Sequence, residues 1–332
     1  LETNTSPDSS HWVCTRFSTW ARHRLAADPL LAGKVGPLVE VPLDAKVIAQ
    51  IIAEALAESP GNLERALRRA RTIIMLAVME RDLSGRAPLA EVTGAMSGLA
   101  EQAIALALDA AMRDTTERFG TPHGEADGAP QSLHVVGMGK LGGRELNVSS
   151  DIDLIFLYPQ EGATRGGAVE VSNQDFFGRV GRRLIGLLSD VTADGYVFRV
   201  DMRLRPWGDG PLAMGFDAFE DYLVAHGRDW ERYAWIKGRV LTGDRDAELM
   251  ALVTPFVYRR YLDFGAIESL KGLHDQIKRE VARRELDDHV KLGPGGIREI
   301  EFVAQALQMI RGGRDARLRG RPTIPMLEIL AG

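Results

Sequence analysis

The chain has 332 residues, 45% hydrophobic and 26% charged, with a net charge of −5, a balance that suits a globular protein with two or three packed units. The acidity argues against a protein that coats nucleic acid, and the single cysteine, Cys14, excludes both a disulfide framework and a multi-cysteine zinc site within one chain. No apolar run is long enough to span a bilayer and no leader marks the start, so neither membrane nor nucleic acid is expected as a partner and a reducing cytoplasm is the expected location. The opening at Leu1 without methionine, and the end at Gly332 inside a helical pattern begun at Thr323, point to a piece of something longer.

Residues 1 to 42 are mixed and proline-punctuated, a loosely helical lead-in with Trp12 and Trp20 as expected anchors. From Ala45 to Phe119 the apolar spacing is helical, as in Val47, Ile51, Ile52 and Leu56, then Leu67, Ile73, Ile74 and Val78, then Ile104, Leu108 and Met112. Gly120–Pro130 reads as a turn-rich linker and Leu133–Gly137 as a strand. Glu161–Gly167 reads as a glycine-bearing loop. A helix begun by Ser172 or Asn173 carries Phe176, Phe177, Val180, Leu184, Leu187 and Leu188 on one face. After Pro206 the chain reads as helical to its end, with breaks near Gly227, Gly243, Phe264 and Gly293–Gly296. The arginines 311, 314, 317, 319 and 321 read as a solvated basic surface. The expectation is a mostly helical α+β protein: a lead-in and helical region over 1–130, a small sheet with a crossing helix over 131–213, and a helical region over 214–332.

The chemistry concentrates between Gly139 and Asp153. The glycine pair Gly142 and Gly143 lets backbone approach a phosphate, and Asp151 and Asp153, two apart, share a face if the segment is extended. Ile152, Leu154 and Phe156 alternate with them and Pro159 closes the run. The pattern returns in 197–205, where Phe198, Val200, Met202 and Leu204 would face a core and Asp201 the open side, flanked by Arg199, Arg203 and Arg205 on one strand face. Side by side, the two strands would gather Asp151, Asp153 and Asp201 into a hard-oxygen cluster suited to Mg²⁺, or Mn²⁺. An Asp-apolar-Asp triplet alone equally suits a solvent-facing edge strand, and Arg203 and Arg205 equally suit charge neutralisation. Glu299 and Glu301 would share a face only if extended, and the helical spacing of Ile300, Val303, Ala304, Leu307 and Ile310 gives them a structural role. Trp230, Tyr233 and Trp235 fit a core better than an adenine stack.

Four motifs, GMGKLGGRELNVSSDIDLIF (137–156), DMRLRP (201–206), RDWERYAWIKGR (228–239) and GPGGIREIEF (293–302), resemble those of bifunctional glutamine synthetase adenylyltransferase/adenylyl-removing enzymes. That family lies within the nucleotidyltransferases that share a DNA polymerase beta-like core, and the resemblance runs from about Leu63 onward. It implies a small nucleotidyltransferase sheet with crossing helices flanked by helical bundles. Asn147–Ser150 and Arg298–Glu301 resemble the N-terminal half, which removes AMP from a tyrosine of glutamine synthetase by phosphorolysis and yields ADP. On that resemblance Asp151, Asp153 and Asp201 are the catalytic metal ligands. Gly142, Gly143 and Ser150 meet nucleotide phosphates, Arg203 and Arg205 stand beside the metals, Lys140 next to the glycine turn adds a point charge to a phosphate, and Arg298 is a further phosphate candidate. The resemblance also implies ADP or ATP as bound nucleotide, inorganic phosphate as co-substrate, and the PII signalling protein as partner of the complete enzyme. Two other readings are adenylyl transfer from ATP to glutamine synthetase or another acceptor, and a nucleotide-sensing or partner-binding module with little turnover.

Overall fold

The computed structural model describes residues 12–259 and 289–331 except 292, together with 268, 272, 279 and 283. The chain divides into two compact units. The first comprises Leu1–Thr115, Arg144–Ile152 and Arg179–Asp201, and the second Thr116–Gly143, Asp153–Gly178 and Met202–Gly332. The expected helix break at Phe264 lies outside the described residues.

The first unit is helical. The lead-in forms three short helices, α1 (Cys14–Phe17), α2 (Thr19–Ala27) and α3 (Leu30–Val39). Its anchors are Cys14, Ala21, Leu25 and Val35, all buried, whereas Trp12 and Trp20 are half-buried. The Glu80 carboxylate accepts the Val13 and Cys14 N–H groups at 3.1 and 2.8 Å, satisfying helix-start donors. Asp44 caps α4 (Ala45–Ala57) by accepting from the Lys46 and Val47 N–H groups at 2.9 Å, and Ile48, Ile51, Ile52 and Ala55 form its buried stripe. Next come α5 (Leu63–Leu83) and α6 (Leu89–Phe119), the latter belonging to this unit up to Thr115.

Two arginines tie distant segments into this unit. Arg68 on α5 is fully buried, yet its guanidinium donates to the carbonyls of Glu64, Leu187, Asp190 and Gly195 at 2.5–3.2 Å. It thereby fastens the end of α8 (Asn173–Ser189), whose last carbonyls have no helical partners, and the loop that follows. Arg81 forms a two-pronged pair with Glu91 at 2.7 and 3.0 Å and donates to the Val39 carbonyl at 2.6 Å, while Glu91 accepts from the Leu43 N–H at 3.0 Å.

The second unit contains a sheet. Its strand β2 (His134–Met138) runs antiparallel to β3 (Ile152–Tyr158) with Val136 opposite Ile155, and antiparallel to β7 (Arg239–Thr242) on its other side. The short β6 (Ala213–Gly215) lies parallel to β3. Asp153, Ile155 and Leu157 share a face of β3, so the face that opens acidic becomes apolar within two residues. Ile155 and Leu157 join a core with Val136, Met138, Phe216, Phe219, Trp235, Phe256, Phe302 and Met309. Much of that core comes from α9 (Phe216–Ala225), α10 (Asp229–Trp235), α11 (Asp246–Val257) and α12 (Ile297–Arg311), and α13 (Thr323–Ala331) completes the described helices.

Several expectations are corrected. Gly120–Pro130 and Glu161–Gly167, read as linker and loop, supply the paired strands β1 (Gly120–Gly124) and β4 (Gly162–Gly166). A Cβ on Gly120 would stand 2.2 Å from the Arg165 carbonyl oxygen, and one on Gly162 2.1 Å from that of His123, so the glycines permit the close approach of two backbones. The region after Pro206 is not wholly helical, since β6 and β7 lie there. On α12 the apolar residues that signalled the helix are mostly outward: Ile300, Val303 and Ile310 are 39–49% exposed. The buried side is Phe302, Ala304, Gln305, Gln308 and Met309, with the Gln308 side chain donating to the Leu318 and Gly320 carbonyls at 2.9 and 2.6 Å. The arginine-rich tail is only partly solvated, for Arg321 donates to the Gly238 carbonyl at 2.7 Å and Arg319 to that of Gly312 at 2.8 Å.

Candidate active site

In the second unit, β2 ends at Met138 and turns through Gly139, at φ 53°, into the single helical turn α7 (Gly139–Gly142). Met138 lies opposite Asp153 in the β2–β3 ladder, and a Cβ on Gly139 would stand 3.3 Å from the Asp153 Oδ2. The predicted glycine turn and Asp153 are thus brought together. Lys140 and Asp153 are half-exposed, while Gly142 and Gly143 are buried. The reason for glycine at 142 is packing: a Cβ there would stand 1.6 Å from the Lys237 carbonyl oxygen. The Gly143 N–H is engaged by the Gly139 carbonyl at 3.0 Å.

Arg239, which sequence reasoning did not single out, closes this turn by donating from Nε to the Gly142 carbonyl and from Nη2 to that of Leu141, both at 3.0 Å. Its signal was its place at the end of the 228–239 motif. Lys237 in the same motif is 3% exposed and donates to Glu301 at 2.7 Å and to the Thr323 hydroxyl at 2.9 Å. Glu299 accepts from the Gly295 N–H at 2.7 Å, so both glutamates are helical and structural, as expected. Trp235 is core at 4% exposure and Trp230 is exposed. Arg298 is exposed at the start of α12.

Arg203 and Arg205 are not on a strand face with Asp201. The strand β5 (Val200–Asp201) stops at Asp201, and the chain turns from Met202 toward Gly210. The Arg205 N–H and Nη1 donate to the Met202 carbonyl at 3.2 and 2.9 Å, and Nε donates to that of Gly210 at 3.4 Å. Arg205 therefore closes the turn, with Trp207 at φ 62° within it, and Arg203 is exposed.

Ser150, Asp151 and Asp201 belong to the first unit. The Ser150 hydroxyl donates to the Asn147 side-chain carbonyl, which fixes the loop before β3. Asp151 is exposed and accepts from Arg199 Nε at 2.5 Å; Arg199 Nη2 also donates to the Ser149 carbonyl at 3.3 Å, and the Ile152 N–H donates to the Arg199 carbonyl at 3.0 Å. The carboxylate holds the Arg199 pKa above its ordinary value, first through this hydrogen bond. Arg199, which the alternation put beside Asp201 on the open face, is bonded instead to Asp151.

Among the described residues, no three side chains of His, Cys, Asp or Glu stand together as a ready-made cation cage. The donor chemistry nonetheless suits a hard divalent ion, since Asp151 is solvent-accessible, Asp153 is half-exposed, and carboxylate oxygens are its preferred ligands. No described helix is long and apolar enough to cross a membrane.

The family model for glutamate-ammonia ligase adenylyltransferase matches residues 13–253. The chain belongs to this family. The match begins well before Leu63, so the lead-in helices carry the family pattern, contrary to expectation. A second model, the GlnD PII-uridylyltransferase, matches residues 271–331. Proteins named bifunctional glutamine synthetase adenylyltransferase/adenylyl-removing enzyme are similar over most of the chain. That of Chromobacterium violaceum is 52% identical across 95% of this chain and 35% of its own length. That of Burkholderia mallei is 50% identical across 96% and 36%, and that of Pseudomonas aeruginosa 53% across 82% and 28%. As an adenylyltransferase-family member, the chain spans about a third of the length of these curated relatives.

Proposed function

We propose that the chain removes AMP from an adenylylated tyrosine of glutamine synthetase by metal-dependent phosphorolysis, in the cytoplasm, as the deadenylylating part of a longer enzyme answering to the PII signalling protein. The observation that carries the reading is the Asp151-Ile152-Asp153 opening of β3, with Asp153 set against the Gly139 turn, in a chain whose family acts as adenylyltransferase. The assignment to the removing direction rests on the Asn147–Ser150 and Arg298–Glu301 motifs.

In the proposed reaction an oxygen of HPO₄²⁻ forms a bond to the phosphorus of the tyrosyl-AMP diester, and the bond from phosphorus to the tyrosine oxygen breaks. The electron pair stays on the phenolic oxygen, which takes the proton that the phosphate brought, leaving ADP and tyrosine. Asp151, Asp153 and Asp201 would hold Mg²⁺ or Mn²⁺, which when bound would offset the negative charge on the two phosphate groups and the departing oxygen. The α7 turn, Gly139 to Gly143, lies beside Asp153 and would receive the nucleotide phosphates together with Lys140 and Ser150. Arg203, exposed beside the Arg205-braced turn, would add a positive charge for the phosphate.

The test is incubation of the chain with adenylylated glutamine synthetase and Mg²⁺, with and without inorganic phosphate, following ADP. Phosphate-dependent ADP supports the reading. ATP-dependent labelling of unmodified synthetase, without ADP release, would assign the opposite direction.

A further inference from the structure

The first unit holds a group of arginines that the acidic pair does not explain. Arg71 on α5 is 8% exposed, and its guanidinium carbon lies 4.7 Å from the Tyr196 ring centre and 5.9 Å from that of Trp20. Its Nε has no hydrogen-bond partner. Among the described residues no carboxylate pairs with it; burial depresses its pKa first, Tyr196 raises it in part, and Arg24 and Arg199, of the same sign, depress it further. Arg68, three residues earlier on the same helix, shows how this fold buries an arginine as a purely structural element: it spends its donors on four carbonyls. Arg71 is instead stacked on and paired with Tyr196, with its Nε left over.

Burying a cation without a counter-charge is costly, and bringing two more cations near it raises the cost. Stacking on Tyr196 and Trp20 recovers only part of it. Arg24 is steadied by the Asp194 carbonyl at 3.1 Å, and Arg199 by Asp151 and Ser149, so these two charges are held in place rather than left to swing away. Fixed guanidinium groups with spare donors are the chemistry that recognises a phosphate dianion.

We propose that Arg24, Arg71 and Arg199 form an oxyanion site that takes a phosphate group next to Asp151. Its occupant is free inorganic phosphate, the attacking group of the reaction above, and that assignment rests on the phosphorolysis reading. The Arg199–Asp151 bond then links the phosphate site to Asp151, so a phosphate oxygen is delivered on the side where that carboxylate stands.

The experiment uses the 332-residue chain. Binding of inorganic phosphate, and separately of AMP and ADP, is measured by calorimetry without divalent cation for the wild type, Arg71→Lys and Arg199→Gln. The lysine keeps the charge and loses the fork, and Arg199 has a side chain 58% exposed, so its variant keeps the fold if Arg71→Lys does not. The expected result is phosphate affinity weakened by about tenfold or more in each folded variant, with AMP affinity within about twofold of wild type. In turnover, the KM for phosphate rises while that for adenylylated synthetase holds. Unchanged phosphate affinity in the variants overturns the site, and loss of AMP or ADP binding instead assigns the arginines to the nucleotide. Phosphate binding lost in the variants while the wild type forms no ADP keeps the site and refutes phosphorolysis. ADP formation with an unaltered phosphate KM keeps phosphorolysis and refutes the site.

Discussion

Replacing Gly142 with alanine tests whether the buried glycine of the α7 turn is a packing requirement. The added methyl would stand 1.6 Å from the Lys237 carbonyl oxygen and 2.6 Å from that of Gly137, the first falling 1.8 Å short of the 3.4 Å at which ordinary contact begins. Lys237 cannot yield easily, because its ammonium is held by Glu301 and Thr323. A retreat of the turn instead pulls the Leu141 and Gly142 carbonyls off Arg239. Losing those two charge-assisted bonds and overpacking the contact together cost about 3–5 kcal/mol. Urea unfolding followed by circular dichroism reads the change. Two companions calibrate it. Gly139→Ala meets only Asp153 Oδ2 at 3.3 Å and carries a left-handed φ, so its stability cost is about 1 kcal/mol while the Asp153 carboxylate is displaced. Gly98→Ala in α6 meets nothing within 4 Å and gains about 0.5–1 kcal/mol. Wild-type stability in Gly142→Ala would refute the packing argument and return that glycine to a purely functional explanation.

Asp151→Asn and Asp153→Asn should each cut phosphate-dependent ADP release by about 100-fold or more while leaving the melting curve within about 1 kcal/mol of wild type; a variant with full turnover removes that carboxylate from the site. Arg205→Ala should destabilise the turn after β5 by about 1–2 kcal/mol through its lost bonds to Met202 and Gly210. Arg203→Ala should raise the phosphate requirement, and an unchanged phosphate KM would return that arginine to a structural role. The Arg81 fork and the Leu43 N–H hold the Glu91 carboxyl below its ordinary pKa of 4.5. That contribution is therefore present above about pH 4.5 and is lost as pH falls through the lowered folded value. Glu91→Gln should destabilise the protein by about 3 kcal/mol at pH 7, because Arg81 is left buried without its partner. Its stability should also fall less steeply than wild type below about pH 4.5, and parallel acid profiles would refute the linkage.

Long periodic elements were legible in the sequence. The apolar stripes of α4 to α6 and of α8 repeat often enough to define a helix, and the seven-residue β3 alternates clearly at its start. Strands of two to four residues, such as β5, β6 and β7, leave no period to read. The β1–β4 ribbon was hidden because the glycines that let its backbones meet are the same residues that mark turns. At the site, Asp153 and the glycine turn were legible because β2 and β3 are close in sequence and pair antiparallel. The arginines were not, because their partners are largely backbone carbonyls: Arg68 reaches residues more than a hundred positions away, and no residue type signals an acceptor that every residue carries. Alternation extended past Asp201 placed Arg203 and Arg205 on a strand that had already ended.

The division of the chain also has a consequence for biosynthesis. Neither compact unit is one continuous stretch: the first needs Arg179–Asp201 in addition to everything up to Thr115. At about 5–20 residues per second, roughly 4–17 s pass on the ribosome between the emergence of its first segment and its last. Through that interval Arg68 has neither Leu187, Asp190 nor Gly195 to bind, so the earliest helices wait half-built for the middle of the chain. A nascent chain arrested before Asp201 should therefore be open to protease within its helical start, and should become resistant only once that residue has cleared the exit tunnel.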